Sequence, residues 1–239
     1  RFREVIVGGA AMNQEVSDFL YKIKFPFTIG YGMTECGPLI SYDNNREYVP
    51  GSCGQILKGI MEVRIDSDDP YNTVGEIQVR GENVMKGYYK NEEATKNVFT
   101  EDGWLHTGDV GYMDEDGFIF LVDRVKDMII SSGENVYPRE IEEVVSAYPG
   151  VEECSVIGIP DALRGQSICL YVVSREGETI DKKALRQYLI GRIAPYKVPR
   201  EYFLVESLPK TALGKVRKNV LRDETVAILS KNKFAGRAL

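Results

Sequence analysis

The sequence predicts an α/β unit, then a small region of antiparallel β structure, and then a separate α+β domain. The first third of the chain alternates strand, helix and strand, which favours a parallel sheet. The middle third alternates apolar and polar residues, which is typical of half-buried antiparallel strands. A charged link at residues 123–127 precedes a new series of helices and strands. We therefore place a boundary near Lys126 and expect domains at residues 1–125 and 126–239.

The strand–helix–strand unit lies at the beginning of the chain. Residues 4–7 predict a buried strand, and residues 28–31 predict a second one. Asn13 is a candidate N-cap for the helix between them, which is expected to run to about Lys22. The apolar residues of this helix share one face at helical spacing: Val16, Phe19, Leu20 and Ile23.

The rest of the chain contains further strands and two further helices. Pro138 is expected in the first turn of one helix, where proline is tolerated, and residues 181–189 predict the other. The chain ends in a basic tail. The strands are predicted at residues 61–65, 76–80, 118–122, 128–130, 155–159, 167–173 and 201–205.

The composition argues against several classes of protein. The formal net charge of -6 argues against general nucleic-acid binding, and no apolar run approaches the roughly 18 residues that a transmembrane helix needs. The four cysteines are scattered, so neither a zinc site nor a disulfide framework is predicted, and a reducing, cytoplasmic setting is expected. The chain begins inside a strand pattern without an initiator Met, and we therefore expect it to be part of a longer protein.

A first candidate motif occupies residues 31–35. Tyr31 offers a flat face for a purine, and Gly32 permits a tight turn. Thr34 offers a hydroxyl, and Glu35 offers a hard oxygen ligand that suits Mg²⁺. The alternative is a simple loop that leads into a helix.

A second candidate motif, His106-Thr107-Gly108-Asp109, is expected in a loop after Trp104. A loop carboxylate such as Asp109 can accept two hydrogen bonds from a ribose diol. The alternative is a turn in which the Asp109 side chain bonds nearby backbone. His106 is the only histidine, and a lone histidine is more often structural than catalytic.

The second domain carries two glycine-bearing turns. Ser131-Ser132-Gly133 ends a predicted strand with small residues, which lets a ligand or a second backbone approach closely. Gly214-Lys215 places a lysine on a turn, where a flexible ammonium suits neutralisation of developing phosphate charge. The alternatives are a plain turn before a helix and a solvated basic tail.

Five motifs follow one another along the chain: Gly8-Gly9-Ala10, Tyr-Gly-x-Thr-Glu at 31–35, Gly-Trp-x-x-Thr-Gly-Asp at 103–109, Asp-Arg-x-Lys-Asp-x-Ile-x-x-x-Gly-Glu-Asn at 123–135, and Pro-Lys-Thr-x-x-Gly-Lys at 209–215. Their order resembles the adenylate-forming superfamily of acyl-CoA synthetases, peptide-synthetase adenylation domains and firefly-type luciferases. The chain looks most like the fatty-acid CoA ligase branch. The resemblance implies the end of a large AMP-binding domain, with a small β-barrel-like region, followed by a small mobile C-terminal domain.

The resemblance implies a site for ATP and Mg²⁺ in the first domain. Its residues run along the nucleotide, with adenine contacts at Gly8, Gly9, Ala10 and Tyr31, a further cofactor-binding position at Gly32, ribose contacts at Asp109 and Arg124, a phosphate contact at Thr34, and the Mg²⁺ ligand at Glu35.

The resemblance also implies two half-reactions. Lys215 reaches the carboxylate oxygen and the α-phosphate during adenylation, and Gly133 lines the pantetheine tunnel of coenzyme A during thioester formation. Lys126 is the hinge about which the small domain rotates between the two. The family's upstream phosphate loop has no match here, so we expect the chain by itself to be inactive.

The predicted function is therefore the AMP-forming, ATP-dependent ligation of a long- or medium-chain fatty acid to coenzyme A. Two alternatives stay open: an adenylation enzyme that loads a carrier protein, and a non-catalytic binding fragment of this fold. The lack of a carrier-like Gly-x-Asp-Ser segment argues against the first. The intact Glu35, Asp109 and Lys215 argue against the second.

Overall fold

The computed structural model describes residues 3–9, 12, 14–42, 48–69, 71, 73–212 and 214–235, so the candidate N-cap Asn13 lies outside the described residues. The chain divides into two compact units, Arg1–Val125 and Lys126–Leu239. Within the described part of the chain, every helix is too short or too polar to span a lipid bilayer.

The first sheet of the first unit confirms the strand–helix–strand prediction, but the first strand is not buried as predicted, because Ile6 is 74% exposed. Its strands lie in chain order: β1 Val5–Val7, β2 Phe27–Gly32, β3 Leu39–Tyr42 and β4 Gln55–Ile56. The helix α1, Gln14–Lys22, joins β1 to β2. β1 and β2 pair in parallel, with Val5 opposite Phe27, whereas the other two pairs are antiparallel. The carboxyl ends of β1 and β2 therefore meet at one edge of the sheet.

The apolar face of α1 is present but exposed in this chain. Phe19 and Ile23 keep 59% and 53% of their surface open to solvent, whereas Ser17 is buried. The hydroxyl of Ser17 donates to the carbonyl of Gln14 and accepts a hydrogen bond from Tyr48 at 2.9 Å. α1 thus contacts the rest of the first unit through the hydrogen bond between Ser17 and Tyr48. Helical periodicity alone did not show which face of the helix is covered.

The second sheet is an antiparallel meander of four strands: β5 Met61–Asp66, β6 Gly75–Gly81, β7 Leu105–Met113 and β8 Ile119–Arg124. The helix α2, Glu92–Val98, lies between β6 and β7 in the chain. The prediction of a barrel-like region is corrected here, because the described strands form an open sheet. Cys53 and Gly54 exchange backbone hydrogen bonds with Ile119, so the outer edge of β8 meets the segment before β4 rather than β5.

A single apolar core joins the two sheets of the first unit. Its buried members come from both sheets and from the turn after β2: Tyr31, Cys36, Ile40, Met61, Ile65, Ile77, Val79, Leu105 and Ile119. Each strand contributes alternate residues to this core, so the residues between them face away from it.

The second unit is built on a mixed sheet of five strands: β9 Ile129–Ser131, β10 Glu134–Val136, β11 Val151–Asp161, β12 Gly165–Ser174 and β13 Glu201–Leu204. The strands β10, β9, β12 and β11 follow in that order, and β13 pairs in parallel with β12. Both faces of β12 are buried. Leu170 faces one core and its neighbour Tyr171 faces the other, which explains the continuous apolar run of this strand.

Helices cover the two faces of this sheet: α3 Pro138–Ser146, α4 Lys182–Leu189 and α5 Lys218–Ala235. Ile141 and Leu185 bring α3 and α4 to one core, and Leu221 brings α5 to the other. Asp181 caps α4 by accepting a hydrogen bond from the backbone N–H of Ala184 at 2.7 Å. The basic tail of the sequence analysis is thus largely a helix, because its few apolar residues suffice to dock it.

Candidate functional site

Asp109 is the centre of a buried polar cluster in the first unit. Its Oδ1 accepts a hydrogen bond from Nε of Arg124 at 2.9 Å, and its Oδ2 accepts one from the hydroxyl of Tyr31 at 3.0 Å. Arg124 lies directly opposite Asp109 in the β7–β8 ladder, whereas Tyr31 comes from β2 of the other sheet. The structure therefore brings three predicted site residues together around one carboxylate.

The partners of Asp109 differ in their exposure. The Tyr31 side chain is buried, and burial, with a contribution from the Asp109 carboxylate, raises the pKa of its phenol well above the ordinary value. The phenol therefore stays protonated and donates. The Arg124 side chain is 52% exposed, whereas that of Asp109 is 11% exposed. A carboxylate has about four lone-pair sites, so Asp109 keeps acceptor capacity for a ligand hydroxyl.

The prediction that Asp109 lies in a loop is wrong, because residues 106–109 lie within β7. The strand is irregular there, and Gly108 has a φ of +70°. Glu76 accepts the backbone N–H of Gly108 at 3.0 Å, and its other oxygen lies 2.7 Å from Nδ1 of His106. Residues 107–109 of β7 lie opposite Ile77 alone in β6, and this local bulge contains Asp109.

His106 thus has a structural partner in Glu76, which sequence reasoning missed. The two residues are 30 positions apart and meet only because β6 pairs with β7. Thr107 adds a second support, since its hydroxyl donates to a β6 carbonyl at 2.7 Å and accepts the N–H of Asp109 at 3.1 Å. These contacts hold the irregular part of β7 in one conformation.

Thr34 and Glu35 lie in the short 3₁₀ turn Thr34–Cys36, directly after β2. Gly32 permits this arrangement, because a Cβ there would lie 2.0 Å from the backbone oxygen of Pro38. The carboxylate of Glu35 accepts a hydrogen bond from the hydroxyl of Tyr88 at 2.9 Å. No local pattern predicted this contact, because 53 residues separate the two positions.

Gly8 and Gly9 follow β1 at the same edge of the sheet as the turn after β2. A Cβ at Gly8 would lie 3.1 Å from the oxygen of Gly30, and Gly9 has a φ of +80°. Ala10, the third predicted residue of this motif, lies outside the described residues. The carboxyl edge of parallel strands is where open α/β sheets bind ligands, so these glycines and Glu35 share one candidate surface.

Gly133 and Lys215 lie on turns of the second unit. Ser132 and Gly133, with φ of +56° and +85°, form the two-residue turn between β9 and β10. Lys215 follows Gly214, which has a φ of +80°, and its backbone N–H donates to the hydroxyl of Thr211 at 3.2 Å. The side chain of Lys215 is exposed.

The other lysine of that motif, Lys210, pairs with Glu153. Lys126, the predicted hinge residue, is exposed in the 3₁₀ helix Val125–Asp127. The next residue, Asp127, is held by Arg222 of α5 at 2.9 Å. The second unit therefore anchors the chain immediately after Lys126.

Comparison with known proteins identifies relatives of both units. The AMP-binding enzyme family matches residues 1–89, and the AMP-binding enzyme C-terminal domain matches residues 140–215. A long-chain-fatty-acid–CoA ligase of Salmonella typhimurium is 40% identical over 222 residues, which cover 91% of this chain and 39% of the relative. The rice protein 4-coumarate–CoA ligase 5 is 37% identical over 237 residues, covering 94% of this chain and 44% of the relative.

Solved structures of adenylate-forming enzymes have the same fold as this chain. The o-succinylbenzoate coenzyme A synthetase MenE of Bacillus subtilis, in complex with ATP and magnesium ion, has a TM-score of 0.82 and 35% identity. The match covers 91% of this chain and 46% of that protein. This chain thus spans about two fifths of the length of its curated relatives. The resemblance inferred from the five motifs is confirmed, and the chain belongs to the adenylate-forming, AMP-binding enzyme family.

Proposed function

We propose that this chain carries part of the active site of an AMP-forming acid–CoA ligase. The complete protein would use ATP to convert a carboxylic acid into its acyl-adenylate, release pyrophosphate, and transfer the acyl group to coenzyme A with release of AMP. The observation that carries the proposal is the buried Asp109 carboxylate, which Tyr31 and Arg124 hold in a fixed orientation.

The first unit would bind the nucleotide. Asp109 has acceptor sites for the ribose hydroxyls, and the exposed guanidinium of Arg124 lies beside it. Gly8 and Gly9 would border the adenine at the carboxyl end of β1, and Thr34 would donate to a phosphate. The Tyr31 ring is buried, with 6% of its surface exposed, so it would act by holding Asp109 rather than by presenting a face to the purine. Because these groups are fixed before the ligand arrives, binding would require little reorganisation.

Glu35 fits a magnesium ion bound together with nucleotide phosphates. Among the described residues, no three His, Cys, Asp or Glu side chains are grouped as a metal cage. Mg²⁺ in nucleotide sites is usually held by one or two carboxylates, substrate phosphates and water, and Glu35 supplies such a carboxylate next to Thr34. When bound, the ion would neutralise phosphate charge.

The second unit would supply the groups that change between the half-reactions. Attack of a carboxylate on the α-phosphate brings two anions together, and the exposed ammonium of Lys215 would offset that charge. The turn at Gly133, which has no side chain, would then admit the pantetheine arm of coenzyme A. Lys126, at the junction of the two units, would be the hinge of this exchange.

The acid is proposed to be a long- or medium-chain fatty acid. The Salmonella relative is named for long-chain fatty acids, whereas the rice and Bacillus proteins are named for aromatic acids.

We infer a cytoplasmic protein from the four free cysteines. Burial raises the pKa of the thiols of Cys36 and Cys154 to about 11 and that of Cys169 to about 12, so these three remain protonated.

The proposal is tested with the complete protein in two steps. Pyrophosphate release is first measured with ATP, Mg²⁺ and a panel of acids from acetate to long-chain and aryl acids, without coenzyme A. AMP release is then measured with and without coenzyme A. Acid-dependent pyrophosphate release followed by CoA-dependent AMP release is expected. If no acid stimulates pyrophosphate release, the proposal is wrong, and if a carrier protein replaces coenzyme A, the enzyme is a carrier-loading one.

A further inference from the structure

The segment from Asn83 to Tyr88 is bonded to the Glu35 turn at several points. Nδ2 of Asn83 donates to the carbonyls of Cys36 and Leu39 at 2.7 and 2.8 Å. The backbone N–H of Met85 donates to the carbonyl of Glu35 at 2.7 Å. These contacts fix the backbone of the turn.

The side chain of Glu35 is held by Tyr88. The Tyr88 hydroxyl donates to Oε1 of Glu35 at 2.9 Å. Among the residues that the structure describes, Tyr88 is the only side chain that bonds this carboxylate, and it occupies one of its two oxygens.

Tyr88 is itself anchored by the first turn of α2. Its backbone N–H donates to Oγ1 of Thr95 at 2.9 Å, and Thr95 donates to the carbonyl of Asn91 at 2.8 Å. Gly87 allows this close approach, because a Cβ there would lie 2.6 Å from Cγ2 of Thr95. Asn91 caps α2 through Ala94 at 3.0 Å. The backbone of Tyr88 is therefore fixed, and its phenol lies at Glu35.

We propose that Tyr88 is the positioning residue of Glu35: its hydroxyl holds Oε1 and leaves Oε2 for the Mg²⁺ that accompanies ATP. The inference rests on the proposed function, since it assumes that Glu35 is the carboxylate ligand. A glutamate side chain that is already held loses less conformational freedom when it binds a metal. The predicted consequence is a specific loss of metal-dependent nucleotide binding without Tyr88.

The test replaces one hydroxyl and keeps the ring. Tyr88→Phe in the complete protein is compared with Tyr89→Phe, the same change at a neighbouring ring that is 88% exposed. Titration calorimetry measures the Kd of ATP with Mg²⁺ and with EDTA. We expect Tyr88→Phe to weaken Mg-ATP binding about tenfold, the usual effect of one hydrogen bond to a charged group. Metal-free ATP binding should not change, and Tyr89→Phe should behave as wild type.

A double-mutant cycle with Glu35→Gln separates positioning from a general structural role. If Tyr88 acts through the Glu35 carboxylate, Tyr88→Phe should have almost no further effect on Mg-ATP binding in the Glu35→Gln background. Equal weakening of ATP binding with and without Mg²⁺, or no weakening at all, would overturn the inference while leaving the proposed function standing. If the wild-type protein does not bind Mg-ATP, both are overturned.

Discussion

Asp109 and Lys215 are the two charged residues on which the proposed reaction most depends, and their surroundings are opposite. Asp109 lies in a strand with an 11% exposed side chain, and both of its oxygens accept hydrogen bonds. Lys215 lies on a glycine turn with an exposed side chain. In the proposed reaction, Asp109 would therefore meet its ligand already held in place, whereas the ammonium of Lys215 would have to be ordered when the substrate binds. The first unit would then act as a fixed nucleotide site, and the second would supply different groups to each half-reaction.

The largest effect is expected for Lys215→Ala. Loss of the ammonium should slow adenylate formation by about 10²–10³-fold, the usual cost of removing one group that stabilises developing negative charge. Transfer of the acyl group from a supplied acyl-adenylate to coenzyme A should stay near wild type. ATP–pyrophosphate exchange and thioester formation measure the two steps separately.

The matched control is Lys210→Ala. Lys210 is engaged with Glu153 on the protein surface, and the loss of such a pair costs about 0–1 kcal/mol. Adenylation should therefore change little in this variant. If both half-reactions fall together in Lys215→Ala, the lysine is structural, and the contrast with Asp109 disappears.

Asp109→Ala should weaken ATP binding by about 100-fold, because about two charge-assisted hydrogen bonds to the ribose are lost. The change also leaves the buried Tyr31 hydroxyl without its partner, which costs about 1–3 kcal/mol of stability. ATP titration and urea unfolding measure the two effects. Asp114→Ala is the control, since the Asp114 carboxylate accepts hydrogen bonds from the backbone of the β7–β8 turn, and it should leave ATP binding unchanged. An unchanged ATP requirement in Asp109→Ala would refute the ribose assignment.

Lys126→Pro tests whether the second unit needs to move. Proline fixes φ near -65°, and a hinge must change its backbone angles. Thioester formation should therefore fall about tenfold more than adenylation, because the proposed reaction would use the Lys215 turn in adenylation and the Gly133 turn in thioester formation. Lys126→Ala, which leaves φ free, should change the ratio of the two rates little. Equal losses in Lys126→Pro would indicate misfolding, and no loss would show that the pivot lies elsewhere.

The sequence predicted elements better than it predicted the contacts between them. Periodicity located the first two strands, the helix between them and the long strands β11 and β12, because their apolar patterns are strong. Residues 106–109 were predicted to lie in a loop after Trp104, whereas pairing with β6 keeps them in a strand. Short elements such as β10 and α2 carry too few apolar residues for a periodic signal.

The candidate site shows the same contrast between residues that a local motif identifies and contacts that it does not. Ordered motifs named Asp109, Arg124 and Tyr31, and the structure brings them together. The supporting residues Glu76 and Tyr88 were missed, because each meets its partner across 30 or more positions of chain. Tertiary pairing determines such contacts, and a local sequence pattern does not encode them.

A pair of glycine substitutions compares the two regions chiefly by the free energy of unfolding. At Gly32 a Cβ would lie 2.0 Å from a backbone oxygen, so Gly32→Ala requires the turn after β2 to shift and should cost about 3 kcal/mol or more. At Gly214 nothing lies within 4 Å of the added Cβ, and only the φ of +80° is unfavourable, so Gly214→Ala should cost about 1–2 kcal/mol. Urea unfolding of both variants measures the difference in the free energy of unfolding.

Because the turn after β2 carries Thr34 and Glu35, Gly32→Ala should also weaken ATP binding, whereas Gly214→Ala should leave it intact. Equal costs at the two glycines would show that the turn after β2 adapts as readily as the lysine turn, and the distinction between a fixed site and a mobile one would then fail.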